Sequence, residues 1–129
     1  MASSVKSAQY SIEALDLASL SSVRSFADSI NERISTQKLA PISAVICNAF
    51  HWSLTSQQNS LDGFDLTFQV GHLAHFVLVL KVFGSMDRKH GRIVFLSSES
   101  HDPKNINSFN KLGAALPDKL DEQVKLLNT

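Results

Sequence analysis

The sequence predicts an α/β fold built on a parallel sheet, and three observations predict it. The stretch Gly91-Arg92-Ile93-Val94-Phe95-Leu96-Ser97-Ser98 is a short apolar run between a glycine and a serine run, which reads as a fully buried strand. Ile42 to Cys47, Ile-Ser-Ala-Val-Ile-Cys, is a second apolar run of strand length after Pro41. Segments with apolar residues at helical spacing lie before and between them, so strand and helix alternate as in a βαβ unit. In open parallel sheets ligands sit outside the carboxyl ends of the strands. The residues at the end of the Gly91 strand, Ser97 and Ser98, therefore carry the functional reading.

A chain of 129 residues with 43% apolar and 19% charged residues has the balance of one globular domain, taken here as 1–129, rather than a disordered segment. Twelve basic and twelve acidic residues cancel, so no field recruits nucleic acid or an anionic membrane surface. Cys47 stands alone, which excludes an internal disulfide and fits a reducing, cytoplasmic setting. The first dozen residues are polar and serine-rich, unlike a secretory signal. The longest apolar run, Ala74 to Leu80 with His75 inside it, is much shorter than the roughly 20 residues of a membrane span.

Taken in order, Tyr10 to Leu15 alternates apolar and polar residues and predicts a short strand with one polar face. Val23, Phe26, Ala27, Ile30 and Ile34 then recur at helical spacing, with Ser19 placed to cap the first turn. Residues 51–63 are rich in Ser, Gln, Asn and Thr and predict a surface loop. From about Leu61 to Met86 runs the longest helix, with Leu66, Val70, Leu73, Val77 and Leu80 in one stripe and Phe68, Phe76, Leu78 and Val79 on other faces. A helix apolar on more than one face needs cover on more than one side, which suggests either a dimer through the 61–86 helix or a missing part of the domain. Beyond Pro103, Leu116, Leu120, Val124 and Leu127 mark a weak terminal helix.

Four motifs then line up in order. They are Leu15-Asp16-Leu17-Ala18-Ser19, Val45-Ile46-Cys47-Asn48-Ala49, Asp62-Gly63-Phe64 continuing through Phe68-Gln69-Val70-Gly71-His72-Leu73, and Gly91-Arg92-Ile93-Val94 through Ser97-Ser98-Glu99-Ser100-His101. Over about residues 10–101 this order resembles the short-chain dehydrogenase/reductase family, in the branch of the retinol dehydrogenases, protochlorophyllide reductase and the WW-domain oxidoreductase. The resemblance implies a partial Rossmann-like, doubly wound parallel sheet, NADP or NAD as cofactor, and small carbonyl or alcohol substrates, some lipid-like.

Carried over residue by residue, the resemblance implies that Ser98 is the catalytic serine, which hydrogen-bonds the substrate carbonyl and stabilises the charge building on its oxygen. It implies cofactor-binding roles for Asp16 and Leu17 at the end of the first motif, for Asn48 and Ala49, and for Val70. Asp16 is equally well read as a helix-entry carboxylate before Ser19. Where the family has Asn-Asn-Ala-Gly beside the cofactor ribose, this chain has Cys47-Asn48-Ala49-Phe50, so Phe50 replaces a glycine that permits close approach. Gly71 stands where the family has a catalytic asparagine, at a cost of about 1 kcal/mol in a helix interior. Cys47 reads as a buried core thiol. His72 and His75 share a spacing that imitates a metal pair, but with no third ligand nearby they read as packing residues.

Two parts of the family's machinery have no counterpart in the sequence. None of the five glycines forms the Thr-Gly-x-x-x-Gly-x-Gly turn that receives a pyrophosphate, and Tyr10, the single tyrosine, is not in a Tyr-x-x-x-Lys pattern. The resemblance therefore implies a sheet without its first two strands and without the last part of the fold. Loss of the tyrosine acid alone implies a rate lower by a factor of about 100 to 10,000. The expected function is a reductase fragment not competent alone. The alternatives are a non-catalytic interaction module and a truncated product without activity.

Overall fold

The computed structural model describes residues 10–53 and 56–97. The chain divides into two units, Met1–Phe95 and Leu96–Thr129, and of the second only Leu96 and Ser97 are among the described residues. The expected terminal helix, Ser98 and the rest of the serine motif lie outside them.

Helix α1 spans Leu20–Ser35. Ser19 sits in extended backbone, and its hydroxyl accepts the Ser22 amide hydrogen at 3.3 Å, so the predicted cap is the observed one. Thr36 closes the other end by donating its amide hydrogen to the Glu32 carbonyl, and Gln37 follows with φ of 59°. Strand β1 is Ala44–Cys47, and strand β2 is Arg92–Phe95. The strands pair in parallel, with Ala44 opposite Arg92 and Cys47 opposite Phe95.

Helix α2, Leu66–Ser85, joins the strands. The Asp65 carboxylate accepts the Phe68 amide hydrogen at 2.8 Å and caps it, so the helix starts later than the pattern placed it. After an α turn over Leu66–Phe68 the helix widens to a π turn over Gln69–Leu73, returns to α over Ala74–Val82 and tightens to 3-10 over Phe83–Ser85. Ile42 then bridges Met86 in parallel, which ties the end of α2 to the entry of β1. By length and composition α2 is long and apolar enough to cross a membrane, with mean hydropathy 1.5. A core helix of a soluble protein has the same properties.

The core lies between the helices. Leu17, Leu20, Val23 and Ala74 are buried together, with Leu15, Val70, Leu73, Val77 and Leu78 packed around them. Burying a valine such as Val23 completely contributes about 1.5–3 kcal/mol. Polar contacts pin the far end of the same seam. Asn31 donates to the Lys81 carbonyl at 2.9 Å and accepts from the Ser85 hydroxyl at 2.7 Å, and Lys81 pairs with Asp28 at 2.6 Å.

Two expectations need correction. Tyr10–Leu15 is not a strand. It has no strand beside it among the described residues, Tyr10 and Ile12 are exposed, and Leu15 turns instead onto the helix core while Glu13 pairs with Arg33. Nor are the two strands buried on both faces. Cys47 is buried, but Ile46, Val94 and Phe95 are 65%, 43% and 52% exposed. An apolar strand is buried only where another layer covers it, and these strands have no second layer among the described residues.

Candidate active-site edge

The parallel register brings the carboxyl ends of the strands level. Asn48 follows Cys47 on one strand while Leu96 and Ser97 follow Phe95 on the next, and all three residues after the strands are exposed. This edge is where an open parallel sheet receives ligands. It carries the predicted Asn48 and Ala49 and leads directly to Ser98, which itself lies outside the described residues.

His75 holds this edge to α2. Its ring is buried, and Nε2 lies 2.9 Å from the Ala49 carbonyl oxygen. A carbonyl can only accept, so Nε2 carries the proton and Nδ1 is left as an acceptor, buried and without a partner among the described residues. His72 has different surroundings. It is exposed and stacks between Phe68 and Phe76, with ring centroids 5.6 and 6.3 Å away. The two histidine rings thus lie in different surroundings, and no group of three or more metal-ligating side chains occurs among the described residues. Cys47 is a free, buried thiol whose pKa burial pushes up, as suits a core residue.

The other predicted residues lie where the start of α1 meets α2. The Asp16 side chain is exposed and accepts the Ala18 amide hydrogen at 2.9 Å. Leu17 is buried in the helix core, and Val70 packs half-buried against it. Between them sits a residue that sequence reasoning did not single out. Gln69 is fully buried, and its side-chain amide donates to the Leu17 carbonyl at 3.2 Å and to Asp62 at 2.9 Å while its oxygen accepts from the Ser60 hydroxyl. Asp62 also accepts the Leu20 amide hydrogen at 2.7 Å. That backbone bond, then the Gln69 amide, holds the Asp62 carboxyl below its ordinary pKa. The only sequence signal for this knot is a long polar side chain inside an otherwise apolar helix stripe.

A dinucleotide is a demanding ligand to place on these residues. The exposed Asp16 carboxylate and the exposed Asn48-Ala49 backbone suit contacts to an adenine and a ribose. Leu17 and Val70 spend their side chains on the core. Phe50 lays its ring against Gly71 at the strand end, and no glycine-rich turn offers amide hydrogens to a pyrophosphate. The described residues thus suit the adenine and ribose of such a cofactor and not its pyrophosphate. An open depression of about 450 Å³ lies elsewhere, lined by Phe83, Met86, Asp87, Arg88 and Ile93 toward the amino end of β2.

The fold and edge thus define an α/β chain with a parallel βαβ unit, of the class that binds ligands at strand ends. No family model matches the chain. It is 46% identical over 99 residues to the short-chain dehydrogenase iccH of Talaromyces variabilis, an alignment covering 75% of this chain and 27% of that protein. It is 40% identical over 104 residues to the human WW domain-containing oxidoreductase, covering 76% and 23%. With protochlorophyllide reductase B of Oryza sativa subsp. japonica it shares 34% over 102 residues, covering 75% and 24%. A solved structure of an uncharacterised protein from Mycobacterium paratuberculosis superposes with a TM-score of 0.55 at 30% identity, covering 72% of this chain and 32% of that one. About three quarters of this chain is short-chain dehydrogenase/reductase sequence, and the chain spans about a quarter of the length of the curated relatives it matches.

Proposed function

We propose that residues 1–129 belong to one Rossmann-like domain of a short-chain dehydrogenase/reductase, an NAD(P)-dependent oxidoreductase of carbonyl and alcohol substrates, and that this chain alone does not complete a catalytic cycle. The observation that supports the reading is the parallel pairing of β1 and β2, the two strands after which the sequence continues into Asn48-Ala49 and Ser97-Ser98. Ser98 is the group this chain contributes to chemistry. Its hydroxyl donates to the substrate oxygen and favours the form in which that oxygen carries more negative charge. Proton delivery needs a general acid, and the sequence holds no Tyr-x-x-x-Lys to supply one.

The test is to incubate the purified chain with NADPH and a panel of aldehydes and ketones while following nicotinamide absorbance. No turnover above the protein-free rate is expected, and carbonyl-dependent NADPH consumption would overturn the reading of incompetence. Intact mass of the native product, set against 14.2 kDa, shows whether the chain occurs within something longer.

A second reading rests on a separate observation. Phe68, His72, Phe76, Leu80 and Phe83 form an exposed stripe along α2. Such a stripe suits an interaction module that pairs through this helix. Sedimentation velocity with and without Phe76→Glu tests it: the parent chain is expected to associate and the variant to stay monomeric. A monomeric parent sinks it.

A further inference from the structure

The two residues that depart most clearly from the family's motif touch one another. Phe50 follows β1 where the motif has glycine, and Gly71 lies in the π turn of α2 where the motif has asparagine. A β-carbon placed on Gly71 would meet Cδ2 and Cε2 of the Phe50 ring at 3.2 and 3.3 Å. That is closer than ordinary van der Waals contact, before any further side-chain atom is added. The ring therefore already holds the space into which a side chain at this helix position would grow. The dependence also runs the other way, because Phe50 is 68% exposed and the bare helix surface at Gly71 is the seat for its inner edge.

We propose that Phe50 and Gly71 are one size-coupled pair that closes the carboxyl end of β1 to the ribose of a nicotinamide cofactor. The inference rests on the reductase reading above. The motif has glycine at the strand position and asparagine at the helix position. Here the bulk has moved to the strand and the bare position to the helix. The exchange puts a ring at the strand position and leaves no polar side chain at the helix position. A single reversion does not restore the motif: Gly71→Asn drives the new side chain into the ring, and removal of the ring alone opens the strand position without the polar group.

Four chains test this: the parent, Phe50→Ala, Gly71→Asn, and the double variant. In thermal unfolding Gly71→Asn is expected to lower Tm by about 4 °C or more when Phe50 is present, and to lower it less, or raise it, when combined with Phe50→Ala. The second measurement is NADPH affinity by nicotinamide fluorescence, where Phe50→Ala is expected to bind at least about tenfold tighter than the parent, a difference of about 1.4 kcal/mol. Additive Tm shifts overturn the coupling. Should both chains carrying Gly71→Asn fail to fold, the coupling is also overturned, because asparagine is then refused for a reason other than the ring. NADPH binding equal in the parent and Phe50→Ala, including none in either, overturns the closure. NADPH-dependent turnover by the parent chain instead breaks the proposed function, and the Tm comparison still judges the pair.

Discussion

The helix seam is less apolar in sequence than the strand pair, yet the seam is the part that is buried. Val23, Ala27 and Ala74 are fully buried where α1 meets α2, while Ile46 and Val94, side by side on the sheet, stand largely exposed. The seam is closed by its own two members. It is fastened at one end by the Gln69–Asp62–Leu20 bonds and at the other by Asn31, Lys81 and Ser85. A sheet cannot close on itself in this way. It has two faces, and each is buried only where another layer covers it. The stability of the described residues is therefore concentrated in the seam, and the strands stand on a thinner support.

Substitutions can break or sharpen that contrast, and the largest effect is expected in the seam. Val23→Asp places an unpaired charge at a fully buried position and should abolish cooperative unfolding followed by circular dichroism. Gln69→Leu keeps the volume but strips the Leu17 carbonyl of its donor and Asp62 of one of its two, with an expected loss of about 1–3 kcal/mol in chemical denaturation.

A smaller effect is expected from pH. The folded-state pKa of Asp62 is lowered, so its stabilisation is fully present above its unfolded value of about 4 and is lost as pH falls through the folded value. Plotting denaturation midpoint against pH should show a steeper acid limb for the parent than for Asp62→Asn. The smallest effect is expected on the sheet. Ile46→Lys, on the bare face, should change stability by no more than about 0.5 kcal/mol and raise solubility. A loss as large as that of Gln69→Leu would mean that the face is covered after all.

The candidate site was partly legible before the structure. Asn48-Ala49 and the serines follow apolar runs of strand length, and those two runs pair in parallel. The role of His75 was not legible, because its partner is a carbonyl on another element. Gln69 was hidden for the same reason, since all three of its partners come from the loops before α1 and α2. Phe50 and Gly71 were each visible as a departure from a motif, but nothing in the order of residues says that they touch.

By itself the sequence determined the elements whose hydrogen bonds are local. Ser19 starts α1, the spacing of Val23 and Ala27 sets its buried side, and a helix satisfies its backbone within the segment, so those residues suffice to specify it. The tertiary structure alone decided everything that needs a distant partner. Tyr10–Leu15 has the alternation of a strand but no strand to bond with, so its backbone stays irregular and its leucine joins the helix core. The strands are apolar enough to be buried on both faces but stand largely exposed among the described residues, and Phe50 settles on Gly71 because the loop after β1 brings its ring to the bare turn of α2. A strand, a buried amide and a ring in a niche are each completed by atoms far away in the chain, and only the fold supplies those.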